Sequence, residues 1–279
     1  MGEARARAVQ GRARRGAGDG VLEEADGRRA EPPEGAARFA ALRQAVGETL
    51  LIVGVRKLGR TIGLHFARKG WRVLCASRTA ADVETLARDV TAAGGQGVPV
   101  VCDLQRPESL VRFGEDPPDL VVAAQTMGGR FGALPLLEIP FTELTQSLAA
   151  YPQGTWNLLR AVGPGLLGRG SGTFLQIGTS SGVRTKEGFA ALGTAQHALR
   201  ALVQVAAREW RSRGVHVAYL PIDGPIASER TRAAGFAAER LISSEAIAEA
   251  CDFLHGQGPD AWTHELVLRP TGGDWSAPT

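Results

Sequence analysis

The sequence predicts an α/β protein, a Rossmann-like doubly wound parallel sheet in three αβα layers, preceded by a disordered tail. Two observations carry this. Short apolar runs bounded by glycine alternate with longer stretches of helical periodicity from about residue 49 to the end. The first such alternation, Leu50 to Thr79 (LLIVGVRKLGRTIGLHFARKGWRVLCASRT), is a strand, a glycine-bearing loop, a helix and a second strand within about the thirty residues that a βαβ crossover needs. In that unit the helix aims its N-terminal amides and positive dipole end at the loop, which makes an anion site of the kind that receives a dinucleotide pyrophosphate.

The elements follow in order. Residues 1–36 are Arg, Ala, Gly and Glu with almost no large apolar residue, and Pro32-Pro33 punctuates their end, so this segment is expected to be a flexible tail. Its seven arginines balance seven acids, which argues against a basic nucleic-acid arm. The rest, 37–279, is read as one domain, with a short helix over 36–46 leading into the first strand at Thr49. Leu50–Val53 is too short and too β-branched for a helix. Helical spacing then runs from Leu58 to Gly70, strand from Trp71 to Ala76, helix from Ala80 to Ala93 with Gly94-Gly95 as its stop, and strand from Val98 to Cys102. Beyond these come helix at 107–113, strand at 120–124, and a long helical region at 141–167 interrupted near Pro152. Strand at 172–177, helix at 188–213, strand at 215–222, helix at 243–255 and a last short strand at 265–268 complete the chain. Ligands of such sheets sit beyond the carboxyl ends of the strands.

Composition narrows the function. A net charge of +3 over 279 residues does not call for nucleic acid. Three cysteines without metal-ligand spacing read as reduced thiols, no apolar run approaches a membrane span, and the N-terminus has arginines without an apolar core, so a cytoplasmic protein without membrane contact is expected.

With the loops placed, the chain from about Thr49 to Arg269 resembles the short-chain dehydrogenase/reductase family. The resemblance rests on LLIVGVRKLGRTIGLHFARKG, on GFAALGTAQHALRALVQVAAREWRSRGVHVAYLPIDGPI and on WTHELVLRP. The family's first turn is Gly-x-x-x-Gly-x-Gly; here Val53 takes the first seat with Gly54 beside it, Lys57 the second and Gly59 the third. Arg56 falls where many NADP-dependent members carry a base, and Ser77-Arg78 stands where an acid would select NAD, so the resemblance implies NADP(H), if any dinucleotide, with Asp103 beside the adenine. Arg56, Lys57 and Arg78 as plain solvated cations is the alternative.

The family's Asn-Asn-Ala-Gly reads Ala123-Ala124-Gln125-Thr126 here. Its helix asparagine falls on Tyr151, either a packing residue or a phenol projected into the pocket. Its active-site serine matches Ser180 best, with Ser181 close behind; a hydroxyl here either bonds a substrate carbonyl or belongs to an ordinary turn. Aligned on Ala198-Leu199-Arg200-Ala201-Leu202, its Tyr-x-x-x-Lys pair becomes Leu192 and Gln196: leucine carries no proton, and glutamine keeps a hydrogen bond to a ribose without a charge. After the sixth strand, Ile226 and Ser228 are carried over as nicotinamide contacts, and Asp223 is either a turn cap or a carboxylate poised in the cleft. Residues 229–241 match the variable lid, where Phe236 and Leu241 point to a small apolar ligand.

The resemblance therefore implies an oxidoreductase for a small apolar carbonyl or alcohol without the standard proton relay, dimeric or tetrameric by analogy. Two alternatives stand beside it. One is a non-redox cyclase, isomerase or dehydratase on the same fold, with no dinucleotide. The other is a non-catalytic ligand-binding or partner subunit.

Overall fold

The computed structural model describes residues 47–125 and 133–273. The expected tail and the expected helix over 36–46 lie outside them. Six parallel strands, β1 (Thr49–Val53), β2 (Arg72–Ser77), β3 (Gln96–Val101), β4 (Leu120–Ala123), β5 (Gly172–Thr179) and β6 (Val215–Ile222), form one sheet in the order β3-β2-β1-β4-β5-β6. Strand order reverses between β1 and β4, which opens a crevice at their carboxyl ends.

Alternation along each strand sends side chains to two separate cores. Leu50 and Ile52 of β1 meet α1 (Leu58–Ala67), α2 (Ala80–Ala92) and α8 (Ser244–His255) through Ile62, Phe66, Leu86 and Ile247. Leu51 and Val53 face the opposite layer, α5 (Gly154–Arg169) and α6 (Ala190–Trp210), through Leu158, Val162 and Leu199. Burial on both faces is why these strands read as unbroken apolar runs.

The remaining helices are shorter. The 107–113 region is a 3-10 turn (Pro107–Leu110) and a four-residue helix, α3 (Arg112–Glu115). The expected break at Pro152 lies in a π-helical turn, Ala149–Gln153, joining α4 (Phe141–Leu148) to α5, because proline has no amide for the i−4 carbonyl. The lid region contains α7 (Glu229–Ala233) and a 3-10 turn at Ala238–Arg240.

The expected last strand is reduced to isolated bridges, Tyr219 with Glu265 and Ile222 with Leu268. His264 and Leu268 carbonyls accept from the Tyr219 and Asp223 amides, and the Leu266 and Leu268 amides donate to Tyr219 and Pro221. The amide that would complete this ladder belongs to Pro221, which has none.

Candidate functional site at the carboxyl ends of the strands

The β1–α1 turn is built by a close backbone approach. A Cβ on Gly59 would lie 1.7 Å from the Gly54 carbonyl oxygen, and one on Gly54, whose φ is +93°, would lie 2.7 Å from the Ala124 oxygen. Only glycine fits either place. Lys57, at the start of α1, takes φ 41° and ψ −101°, the one positive φ of a non-glycine residue among the described residues. Among the described residues no side chain caps α1, and its first turn holds no acid, which leaves the amides of that helix end open to an anion. Register then aligns the neighbouring strand ends: Val53 pairs with Ala76 and Ala123, and Ser77 with Val101. Ser77 therefore lies beside the turn, with Arg78 next in the chain and exposed. Arg56 is also exposed, with Asp82 3.8 Å away. Asp103 accepts the Gln105 amide at 3.0 Å, an Asx-turn that fixes the exit of β3.

At the end of β5, Thr179 leads into a 3-10 turn, Ser180–Gly182. The Ser180 hydroxyl is half-buried and has no hydrogen-bond partner among the described residues. Beneath it lies a polar arrangement that the residue pattern did not announce. Gln196 of α6 is completely enclosed; its Oε1 accepts the Thr179 amide at 3.2 Å and the Tyr219 hydroxyl at 3.4 Å, while its Nε2 is sealed without an acceptor. The Tyr219 ring passes beneath the turn so closely that a Cβ on Gly178 or Gly182 would come within 2.2 Å of its hydroxyl. Burial raises the Tyr219 pKa well above the ordinary phenol value. It is a neutral strut at any ordinary pH. Leu192 packs against the surrounding core, and α6 contains neither tyrosine nor lysine. Tyr151 sits in the π-helical turn with its side chain in the same core.

A second buried chain ties β4 to α5 and β5. Gln125 Nε2 donates to Thr155 Oγ1 (2.7 Å), which donates to Gln176 Oε1 (2.9 Å), and Gln176 Nε2 donates to the Ala123 and Ile177 carbonyls. A glutamine inside the apolar run of β5 was the available signal.

At the end of β6, Asp223 is no turn cap: its carboxylate is gripped by two arginines. Arg184 Nη2 donates to both of its oxygens (2.8 and 3.0 Å), and Arg269 Nε donates to Oδ2 at 2.6 Å with Nη2 2.5 Å away. The three side chains are 16% (Arg184), 6% (Asp223) and 3% (Arg269) exposed. Ile226 is half-buried and bridges to Ile242. The Ser228 hydroxyl caps α7 in a reciprocal pair with Thr231.

The sequence-expected residues thus divide into two groups along one edge of the sheet. Gly54, Arg56, Gly59, Ser77, Arg78 and Asp103 lie at the β1–β3 end, and Ser180, Gln196, Asp223, Ile226 and Ser228 at the β5–β6 end. Tyr151 stands apart in the core. Cys75 and Cys251 are pushed up to about 12 and Cys102 to about 11 by burial, which leaves no reactive thiol among them. Among the described residues no group of His, Cys, Asp and Glu is placed to hold a metal, and no helix is long and apolar enough to cross a membrane.

The chain matches the short chain dehydrogenase family over residues 48–233 and belongs to it. It is 34% identical over 171 residues to an uncharacterised oxidoreductase of Mycobacterium tuberculosis (strain CDC 1551 / Oshkosh), a match that spans 55% of this chain and 60% of the relative. A second relative, 1-deoxy-11-beta-hydroxypentalenate dehydrogenase of Streptomyces exfoliatus, is 25% identical over 250 residues, 79% of this chain and 91% of the relative. Among solved structures, a short-chain dehydrogenase from Rhodopseudomonas palustris superposes with a TM-score of 0.68 at 25% identity, covering 80% of this chain and 98% of that one.

Proposed function

We propose that this protein is an NADP(H)-dependent oxidoreductase of the short-chain family, acting on a small, largely apolar carbonyl compound or alcohol. The reading is carried by the β1–α1 turn, where glycine is obligatory twice, the helix has no side-chain cap among the described residues and no acid in its first turn, and Arg56 and Arg78 stand exposed. Such a turn fits a pyrophosphate, and the cations fit a 2′-phosphate. Gly54, Arg56, Gly59, Ser77 and Arg78 would hold the phosphates, Asp103 the adenine end, and the Ile226 backbone with Ser228 the nicotinamide end. The cofactor's chemistry, when bound, is to give or take a hydride. A metagenomic short-chain oxidoreductase of the same fold was solved in complex with NADP, which agrees with this choice.

The chain's own part is positioning. Ser180 offers its hydroxyl to a substrate oxygen. Gln196, in the seat that the resemblance assigns to lysine, holds the Thr179 amide and so fixes the entry to the Ser180 turn; it brings no charge. The relay is altered accordingly, with water as the proton source because the Tyr151 side chain is enclosed in the core, and Asp223 acts through the arginines that hold it. A dimer or tetramer, by family analogy, and a cytoplasmic location, from the composition, are part of this reading.

One observation favours a second reading, a non-redox enzyme on this fold: the amide of Gln196 is wholly enclosed where hydride transfer ordinarily employs an accessible lysine cation. Titration with NADPH, followed by nicotinamide fluorescence, separates the two. Saturation at micromolar ligand supports the first reading, and no change up to about 1 mM removes it.

A further inference from the structure

We infer that the β5–β6 end of this site is a receptor for a carboxylate on the substrate, with Arg184 as the residue that recognises it. The inference rests on the oxidoreductase reading above and adds a substrate class to it.

The argument begins with the three donor nitrogens of one guanidinium. Arg184 Nη2 is committed to both oxygens of Asp223. Nε is sealed from solvent without an acceptor. Nη1 has no partner among the described residues and is not among the sealed nitrogens, so it is the corner that opens outward, consistent with the 16% exposure of the side chain. Asp223 is meanwhile held by Arg269 through two further contacts on Oδ2. Its charge is shared, and Arg184 keeps binding capacity that no group among the described residues uses. A guanidinium fixed in plane by a buried carboxylate, with the Nη1 corner open, is pre-organised to donate to a second anion.

Position says which anion. The Arg184 amide donates to the Ser180 carbonyl at 2.8 Å, and Thr179 pairs with Ile222, so Arg184, Asp223 and Ser180 share the adjacent ends of β5 and β6. The phosphate turn is at the end of β1, with β4 between it and β5. At about 4.8 Å per strand, Arg184 lies about 10–14 Å along the sheet from that turn. An anion there is not the pyrophosphate. It belongs to the molecule whose reacting oxygen meets Ser180. Joined to the largely apolar body of the proposed function, this makes the substrate class a carboxylic acid whose carboxylate lies near the carbonyl or alcohol that reacts.

The test uses NADPH-loaded protein and isothermal titration with two keto acids, 3-oxocyclohexane-1-carboxylate and 4-oxodecanoate, each beside its methyl ester. At least one acid is expected to bind about tenfold or more tightly than its ester. Arg184→Gln is expected to bring that ratio within about twofold and leave NADPH affinity unchanged, with Arg184→Lys, which keeps the charge against Asp223 without the fork, in between. Acid and ester binding alike in the unaltered protein, no binding of either acid at about 10 mM, or an undiminished ratio in Arg184→Gln would each overturn the inference. The acid-to-ester comparison stands if Arg184→Gln does not fold. Failure to load NADPH at the outset would remove the underlying oxidoreductase reading instead, so the two failures are distinct.

Discussion

Lys57→Gly is expected to stabilise the protein while removing a side chain from the phosphate turn. With φ at 41° and ψ at −101°, Lys57 is outside even the left-handed well that non-glycine residues occasionally occupy. Holding an L-residue there costs about 1–3 kcal/mol, whereas glycine adopts the region freely. Glycine returns about 0.5–1 kcal/mol of that gain through the greater freedom of its unfolded chain. The side chain itself is exposed, and the bond from the Thr61 amide to the Lys57 carbonyl (3.0 Å) is made by backbone that survives the change. The net expectation is about 1 kcal/mol of added stability, or about 2–4 °C in Tm for a domain of this size. Urea unfolding followed by circular dichroism measures it, with Lys57→Ala as the control that keeps the strain and should match the parent within a few tenths of a kcal/mol. A Lys57→Gly protein no more stable than Lys57→Ala would refute the claim that this backbone is strained.

Three further outcomes are expected. Arg78→Ala should weaken NADPH binding about tenfold with little effect on NADH, since only the former has a 2′-phosphate for the guanidinium; equal losses in the two fluorescence titrations would contradict the 2′-phosphate assignment. Gly182→Ala should destabilise by more than about 2 kcal/mol, because the new methyl meets the Tyr219 hydroxyl, and Tyr219→Phe in the same chain should restore part of that loss; simple additivity of the two changes would show that they do not meet. Hydrogen bonds from Arg200, chiefly, and from Gln204 hold Glu265 below the usual carboxylate range. A depressed folded-state pKa gives stability that is present above the unfolded value and lost as pH falls through the folded one. Stability should therefore decline on acidification below about pH 4.5, and Glu265→Gln should flatten that decline in urea midpoints measured across the range.

The parallel sheet was legible because each β-branched run has to be covered on both faces, and Gly54, Gly70 and Gly94-Gly95 mark where strands and helices stop. The last strand was over-read for a local reason: WTHELVLRP has strand character, but its ladder depends on the opposing Pro221, and a missing amide is visible only once the two segments are known to be neighbours. The partners of Arg184, Thr155, Gln176, Tyr219 and Arg269 were illegible for the same reason, although Gln176 itself stood out as a glutamine in an apolar strand. These side chains act through partners 21 to 53 positions away in the chain, such as Asp223 for Arg184 and Ala123 for Gln176.

Those partners also change what the family comparison means at Gln196. Aligned alone, glutamine in the lysine seat reads as a lost charge. In the fold, the same side chain accepts the amide that starts the Ser180 turn, and the phenol below it fills the space that Gly178 and Gly182 leave. A lysine ammonium offers donors only, so it could not accept from the Thr179 amide or from the Tyr219 hydroxyl. Gln196→Lys would leave that buried amide unpaired and place a charge against a phenol that burial keeps neutral. Restoring the family residue should for that reason destabilise the protein rather than revive a standard relay. Tyrosine at 219 and glutamine at 196 are one solution, in which the serine turn is held by a neutral pair and the cations beside it, Arg184 and Arg200, are each engaged by a carboxylate, Asp223 and Glu265.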